Sequence, residues 1–118
     1  MGTFRHTIEI EAADGASFES VEALVDTGAT YTWIPRPVLE RLGIEPSLGR
    51  RLQTADGRII ERDGAQVPVR INNESLMTIC IFGDPGSHPL LGAVTLEEFG
   101  LGVDPINRRL VPVVSLLM

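Results

Sequence analysis

The residues that most directly suggest chemistry are Ala23-Leu24-Val25-Asp26-Thr27-Gly28-Ala29-Thr30, where an acid follows an apolar run without a break. A carboxylate at the end of an apolar strand is partly buried, which costs free energy unless a donor or partner compensates. Gly28 permits close backbone approach, so amide hydrogens can be aimed at Asp26. Thr27 adds a hydroxyl that donates and accepts at once. A carboxylate held in this way is suited to orienting a water molecule. One carboxylate cannot both take a proton from that water and protonate the leaving group. Two carboxylates sharing one proton can, because like-charge repulsion drives their apparent pKa values apart.

The elements that must position this loop read as strands and turns. Thr3 to Glu11 alternates, with Phe4, His6, Ile8 and Ile10 on one face, and so predicts a half-buried strand. Asp14-Gly15 turns the chain into a returning strand, Phe18 to Val25, that ends at Asp26. Tyr31 to Ile34 resumes strand character, and Pro37 to Leu42 predicts a short helix stopped by Gly43. Asp56-Gly57 predicts a two-residue hairpin turn between Leu52-Gln53-Thr54 and Arg58-Ile59-Ile60. Asp63-Gly64 predicts a further turn or bulge before a strand from Ala65 to Ile71, and Asn72-Asn73 turns into Leu76 to Phe82. Gly83 to Gly86 is a loop, Leu90-Leu91-Gly92 follows, and Val94 to Phe99 is a short helix closed by Gly100. After a turn at Asp104 to Asn107, a last strand is expected from Arg109 onward.

The 118 residues suffice for one domain, here 1–118, and 43% hydrophobic with 22% charged residues is an ordinary balance for a chain with a packed core. Short Val/Ile/Thr runs broken by twelve Gly and eight Pro favour an all-β class. A net charge of −6 argues against a nucleic-acid partner. Arg50-Arg51 and Arg108-Arg109 read as solvated turns. Cys80 is the single cysteine, which rules out an intrachain disulfide, and its apolar surroundings predict a buried, inert thiol. His6 and His88 stand apart, so no metal and no cofactor is expected. Asp84, Ser87 and His88 share one Gly/Pro-rich loop without a nucleophile elbow, which argues against a serine hydrolase. Tyr31 and Trp33 read as core or pocket wall. There is no signal-like N-terminal h-region and no membrane-length apolar run, so a cytoplasmic protein without a membrane partner is expected.

Asp26-Thr27-Gly28-Ala29 resembles the catalytic motif of retropepsin-like aspartic proteases, and the resemblance covers most of the chain. A flap hairpin is matched by Thr54, Ala55, Asp56, Gly57 and Arg58 with their flanking strands. The late apolar-apolar-Gly element that packs beside the catalytic loop is matched by Leu90, Leu91 and Gly92, followed by a short helix. The resemblance implies an acid-protease barrel of a single lobe, with Asp26 as catalytic acid/base and Gly28 binding substrate backbone. Thr27 would link two catalytic loops across a dimer axis. Because the sequence contains one Asp-Thr-Gly and is too short for two lobes, a homodimer acting on a peptide or protein substrate is implied. Its chain ends, Arg109 to Met118, would join in a shared sheet.

Two positions depart from the viral pattern. Thr30 and Ala93 replace an Asp and an Arg that pair in many viral members, which brings the chain closer to cellular and bacterial ones. The flap tip carries Asp56 and Arg58 where viral flaps are apolar and glycine-rich. The alternative expectation is a catalytically silent homodimer that uses the same cleft as a peptide-binding or dimerisation module.

Overall fold

Alternation of apolar and polar residues produces β1 (Arg5–Glu11), with Ile8 and Ile10 fully buried and Arg5 and Thr7 exposed. The computed structural model describes residues 4–114, so Thr3 and Ser115 to Met118 of the expected terminal strands lie outside the described residues. Through Asp14-Gly15 the chain returns as β2 (Phe18–Val25), antiparallel to β1 with Ile8 opposite Val21. β3 (Thr32–Pro35) leads into α1 (Arg36–Arg41), which has a proline in its first turn and Gly43 just beyond its end.

β4 (Leu48–Gln53) and β5 (Ile59–Ile71) make the central hairpin. The turn or bulge expected at Asp63-Gly64 does not form, and β5 runs unbroken for 13 residues. Gly64 sits where β5 changes neighbours, opposite Leu48 of β4 and Ile81 of β6 (Glu74–Gly83). A Cβ there would lie 2.7 Å from Leu48 Cδ1 and 3.3 Å from the Cys80 carbonyl oxygen. The glycine serves close strand approach, and pairing on both sides overrides its local turn preference. Arg50-Arg51, expected in a solvated turn, instead occupy β4 opposite Arg62 and Glu61. Asn72-Asn73 does form the tight turn into β6, both residues having positive φ (51° and 71°) as that turn requires.

β7 (Leu90–Leu91), α2 (Ala93–Glu98), β8 (Leu101–Asp104) and β9 (Arg109–Pro112) complete the described chain. β8 was not expected; it pairs with β9 in a separate two-stranded sheet. The main sheet has the order β1-β2-β7-β3-β6-β5-β4, and β1 also pairs with β5 through Glu9↔Arg70 and Ile10↔Val69. That pairing closes the sheet into a barrel, with a 2.7 Å ion pair from Arg70 to Glu9 across the closure. Inside lie Ile8, Ile10, Ile34, Val67, Val69, Phe82 and Leu91, and each such burial stabilises by about 1.5–3 kcal/mol.

One polar chain crosses this core. The Gly92 amide donates to Thr32 Oγ1 (3.1 Å), Thr32 and Thr95 hydroxyls lie 2.7 Å apart, Thr95 and Thr78 lie 3.0 Å apart, and Thr78 donates to Glu98 (2.6 Å). The amide can only donate and the carboxylate can only accept. Each hydroxyl therefore has one way to point, from Gly92 through Thr32, Thr95 and Thr78 to Glu98. All three threonines are buried and satisfied, and together they bind β3, β6 and α2 beneath Gly92.

Thr95→Val keeps the volume of this site but removes the central hydroxyl, and should lower unfolding free energy by about 1–3 kcal/mol in denaturant titration. Gly92→Ala should cost a similar amount or more, because the added Cβ would meet the Tyr31 carbonyl carbon and oxygen, both at 2.4 Å, which are backbone and cannot yield. Cys80 is wholly buried, and burial, with a smaller contribution from the Glu98 charge, pushes its thiol up to about 12. In the native protein it should resist alkylation at pH 8 and react only when denaturant is added. The unfolded thiol ionises first as pH rises, so this group's contribution to stability is intact below its ordinary value and declines toward pH 12.

Candidate active site

Asp26 is the first residue beyond β2, where the buried strand emerges, and it is half-buried. Its backbone amide donates to the Leu91 carbonyl (3.0 Å), and its own carbonyl accepts from Ala29 (3.1 Å) to close the loop. Its side chain is held from within: the Gly28 amide donates to Oδ1 at 3.0 Å. Oδ2 makes no hydrogen bond among the described residues. One oxygen is thus oriented and the other is left for a ligand or partner.

β7 holds both sides of this loop. Leu90 and Leu91 pair in parallel with Leu24 and Val25 just before Asp26, and Leu90 pairs with Trp33 just after Tyr31. The far part of the loop is fastened to α2, where Ala93 donates to the Ala29 carbonyl (2.8 Å) and Val94 to the Thr30 carbonyl (2.9 Å). First-turn amides have no partner within their own helix, and the loop carbonyls satisfy them. Thr30 and Ala93 bring no charges to this junction; backbone bonds join it. The structure therefore gathers Asp26, Thr27, Gly28 and Ala29 with Leu90, Leu91 and Gly92 into one unit. Thr27 is exposed, and its hydroxyl makes no hydrogen bond among the described residues.

The expected flap is a separate unit. Thr54 and Arg58 close its tip through a 2.8 Å backbone bond, leaving Ala55, Asp56 and Gly57 as a three-residue loop with Gly57 at φ +90°. The expected two-residue turn is thus one residue longer, because a left-handed glycine at the third position matches the strand twist equally well. The Thr54 hydroxyl, then the Arg58 amide, hold the Asp56 carboxyl below the usual carboxylate range. The hydrogen bonds of the tip are internal, so nothing fastens it to Asp26.

The hairpin instead touches the Asp26 segment lower down. Arg50 Nε donates to Tyr31 Oη (3.2 Å), with the guanidinium 5.8 Å from that ring's centre. Nearby, Arg36 pairs with Asp63 at 2.7 Å and lies over Phe82. A cleft of about 510 Å³ opens among Arg36, Arg50, Arg51, Glu61, Arg62 and Asp63. None of these was a predicted site residue. The signal was present as the alternation Leu48-x-Arg50-x-Leu52, which places Arg50 on the face of its apolar neighbours.

The remaining sequence candidates are held elsewhere. His6 bonds to Asn72 (3.1 Å), and Ser87 Oγ donates to the Asp84 carbonyl (2.6 Å), not to His88. Among the described residues, no three His, Cys, Asp or Glu side chains converge as metal ligands, and no helix is long and apolar enough to cross a membrane.

The solution structure of simian foamy virus (mac) protease superimposes with a TM-score of 0.58, covering 81% of this chain and 94% of that one at 19% identity. At that identity the likeness establishes the fold, a retropepsin-like barrel. No curated protein matches the sequence. A family model described as aspartyl protease matches residues 9–95, from β1 through the Asp26 loop and the hairpin to Leu90-Leu91-Gly92 and the start of α2. The chain belongs to the aspartyl protease family.

Proposed function

We propose that the protein is an aspartic endopeptidase that works as a homodimer, with the two Asp26 carboxylates facing each other across the dimer axis. The observation that carries this reading is the asymmetry at Asp26. Oδ1 is held by the Gly28 amide, while Oδ2 has no partner among the described residues. A single chain has one Asp-Thr-Gly and so one such carboxylate; a second copy supplies the matching one. Thr27, exposed beside it, is placed to bond across the axis. Ile106, Val113 and Val114 are exposed apolar residues, which supports a contact between copies near the chain end.

In the dimer one carboxylate is ionised and the other protonated, since two adjacent negative charges repel. The ionised group takes a proton from a water held between them. The water oxygen bonds to the peptide carbonyl carbon, and the other carboxyl gives its proton toward the carbonyl oxygen. Transfer of a proton to the amide nitrogen then accompanies breakage of the C–N bond, leaving a carboxylic acid and an amine. The hairpin tip closes over an extended substrate.

Asp26→Asn should lower cleavage of a peptide library by at least on the order of 10²–10⁴, read as new termini by mass spectrometry, while sedimentation still reports a dimer. Binding without new termini in the parent would identify a silent peptide-binding module instead. Activity should follow a bell-shaped pH profile with a mildly acidic optimum, where the pair holds one proton. Mixing equal amounts of parent and Asp26→Asn protein, with exchange of subunits, should leave roughly half of the parent activity. Undiminished activity would show that each chain works alone.

A further inference from the structure

The inner face of the hairpin carries two arginines directly opposite each other. Arg50 and Arg62 are register partners, flanked on the same face by Leu52↔Ile60 toward the tip and Leu48↔Gly64 toward the base. All of these are half-buried or buried, whereas the alternate residues Gly49, Arg51, Glu61 and Asp63 are exposed. Like charges facing across an antiparallel pair are destabilising, and their Cβ atoms stand about 4.5–5.5 Å apart. A hairpin keeps such a pair at a cost unless an anion comes between them.

The chain does not supply that anion in full. Arg50 bonds to neutral acceptors, Tyr31 Oη at 3.2 Å and the Gly49 carbonyl at 3.0 Å, and meets no carboxylate among the described residues. Arg62 reaches Asp84 only at 3.5 Å, and that carboxylate is 71% exposed. The Arg62 Nε is buried and finds no acceptor among the described residues, while the same guanidinium donates to the Glu61 carbonyl at 2.9 Å. Arg36, beside them, differs in being paired with Asp63 at 2.7 Å. Two half-buried guanidiniums without a close carboxylate thus share one face of the hairpin and line the cleft of about 510 Å³, in a chain whose net charge is −6.

We infer that Arg50 and Arg62 form a subsite for a carboxylate side chain of the substrate, so that the protein selects peptides with Asp or Glu near the cleaved bond. The inference rests on the peptidase reading above and names the substrate class of that same cleft. A guanidinium and a carboxylate match as paired donors and acceptors, and a carboxylate between the two arginines would offset their repulsion. Tyr31 sets the distance. Four residues, Thr27 to Thr30, stand between it and Asp26, so their Cα atoms are five steps and no more than about 18 Å apart. An extended substrate advances about 3.3 Å per residue, which places its acidic side chain within about five residues of the scissile bond.

The test is binding of decapeptides to full-length Asp26→Asn protein, with one Glu walked along an otherwise neutral sequence and compared with Gln at each position. Fluorescence anisotropy should show Glu favoured at one or two adjacent positions by about tenfold or more, with the preference shrinking as salt rises. Adding Arg50→Gln should collapse the Glu/Gln ratio toward one, and Arg50→Lys should restore part of it if the fold is intact. No Glu preference at any position, or a preference unchanged by Arg50→Gln, would overturn the subsite. Cleavage of the same peptides by the parent is scored separately. A Glu preference in binding without any cleavage keeps the subsite and removes the peptidase reading.

Discussion

The position of Asp26 rests on a two-residue strand. Leu90 and Leu91 insert between β2 and β3, pairing in parallel with the residues before the loop and in antiparallel with Trp33 after it. A loop between two strands that are not themselves paired would have no reason to hold one shape. Here the inserted strand joins its two sides, the Leu91 carbonyl takes the Asp26 amide, and Gly92 lets α2 approach the Tyr31 carbonyl closely enough to bond the loop. The threonine relay from Gly92 to Glu98 then fastens the same point to β6 and the end of α2. Because each of its hydroxyls has a single direction in which to donate, the relay specifies one arrangement where apolar packing alone would tolerate several.

The hairpin is connected to this unit in a different manner. β5 pairs with β4 over its first half and with β6 over its second, so one continuous strand belongs to both the flap and the barrel. At its root, Gly64 is paired on both sides, with Leu48 and Ile81. Its tip is closed only on itself, through Thr54, Asp56 and Arg58, with exposed side chains and surface electrostatics that contribute little to global stability. Motion is therefore cheapest at the tip and most costly at Gly64.

Charge follows the same division. At the junction of the Asp26 loop and α2, backbone bonds from Ala93 and Val94 make the connection without any ionic pair. Burying a charge pair there would exact desolvation that backbone bonds avoid. Arg50 and Arg62 lie instead on one face of the hairpin, where Arg50 meets Tyr31 and both line the cleft.

Much of this was legible in the sequence. Alternation located β1 and β2, Asn72-Asn73 located its turn, and Asp26-Thr27-Gly28 with Leu90-Leu91-Gly92 marked two segments that the fold packs together, because each depends on a few adjacent residues and on local backbone preferences. The unbroken β5 across Asp63-Gly64, the strand setting of Arg50-Arg51 and the pairing of β8 with β9 were not legible, since in each case a partner remote in sequence outweighs the local signal. The same holds for the relay through Thr32, Thr78 and Thr95, residues far apart in the chain that look like ordinary strand and helix threonines until the barrel closes around them. The sequence by itself determined which carboxylate stands at the end of an apolar strand and which small residues surround it. Only the tertiary structure decided what holds that carboxylate and which arginines share one face of the hairpin, because those depend on strand order, and strand order is a property of long-range pairing.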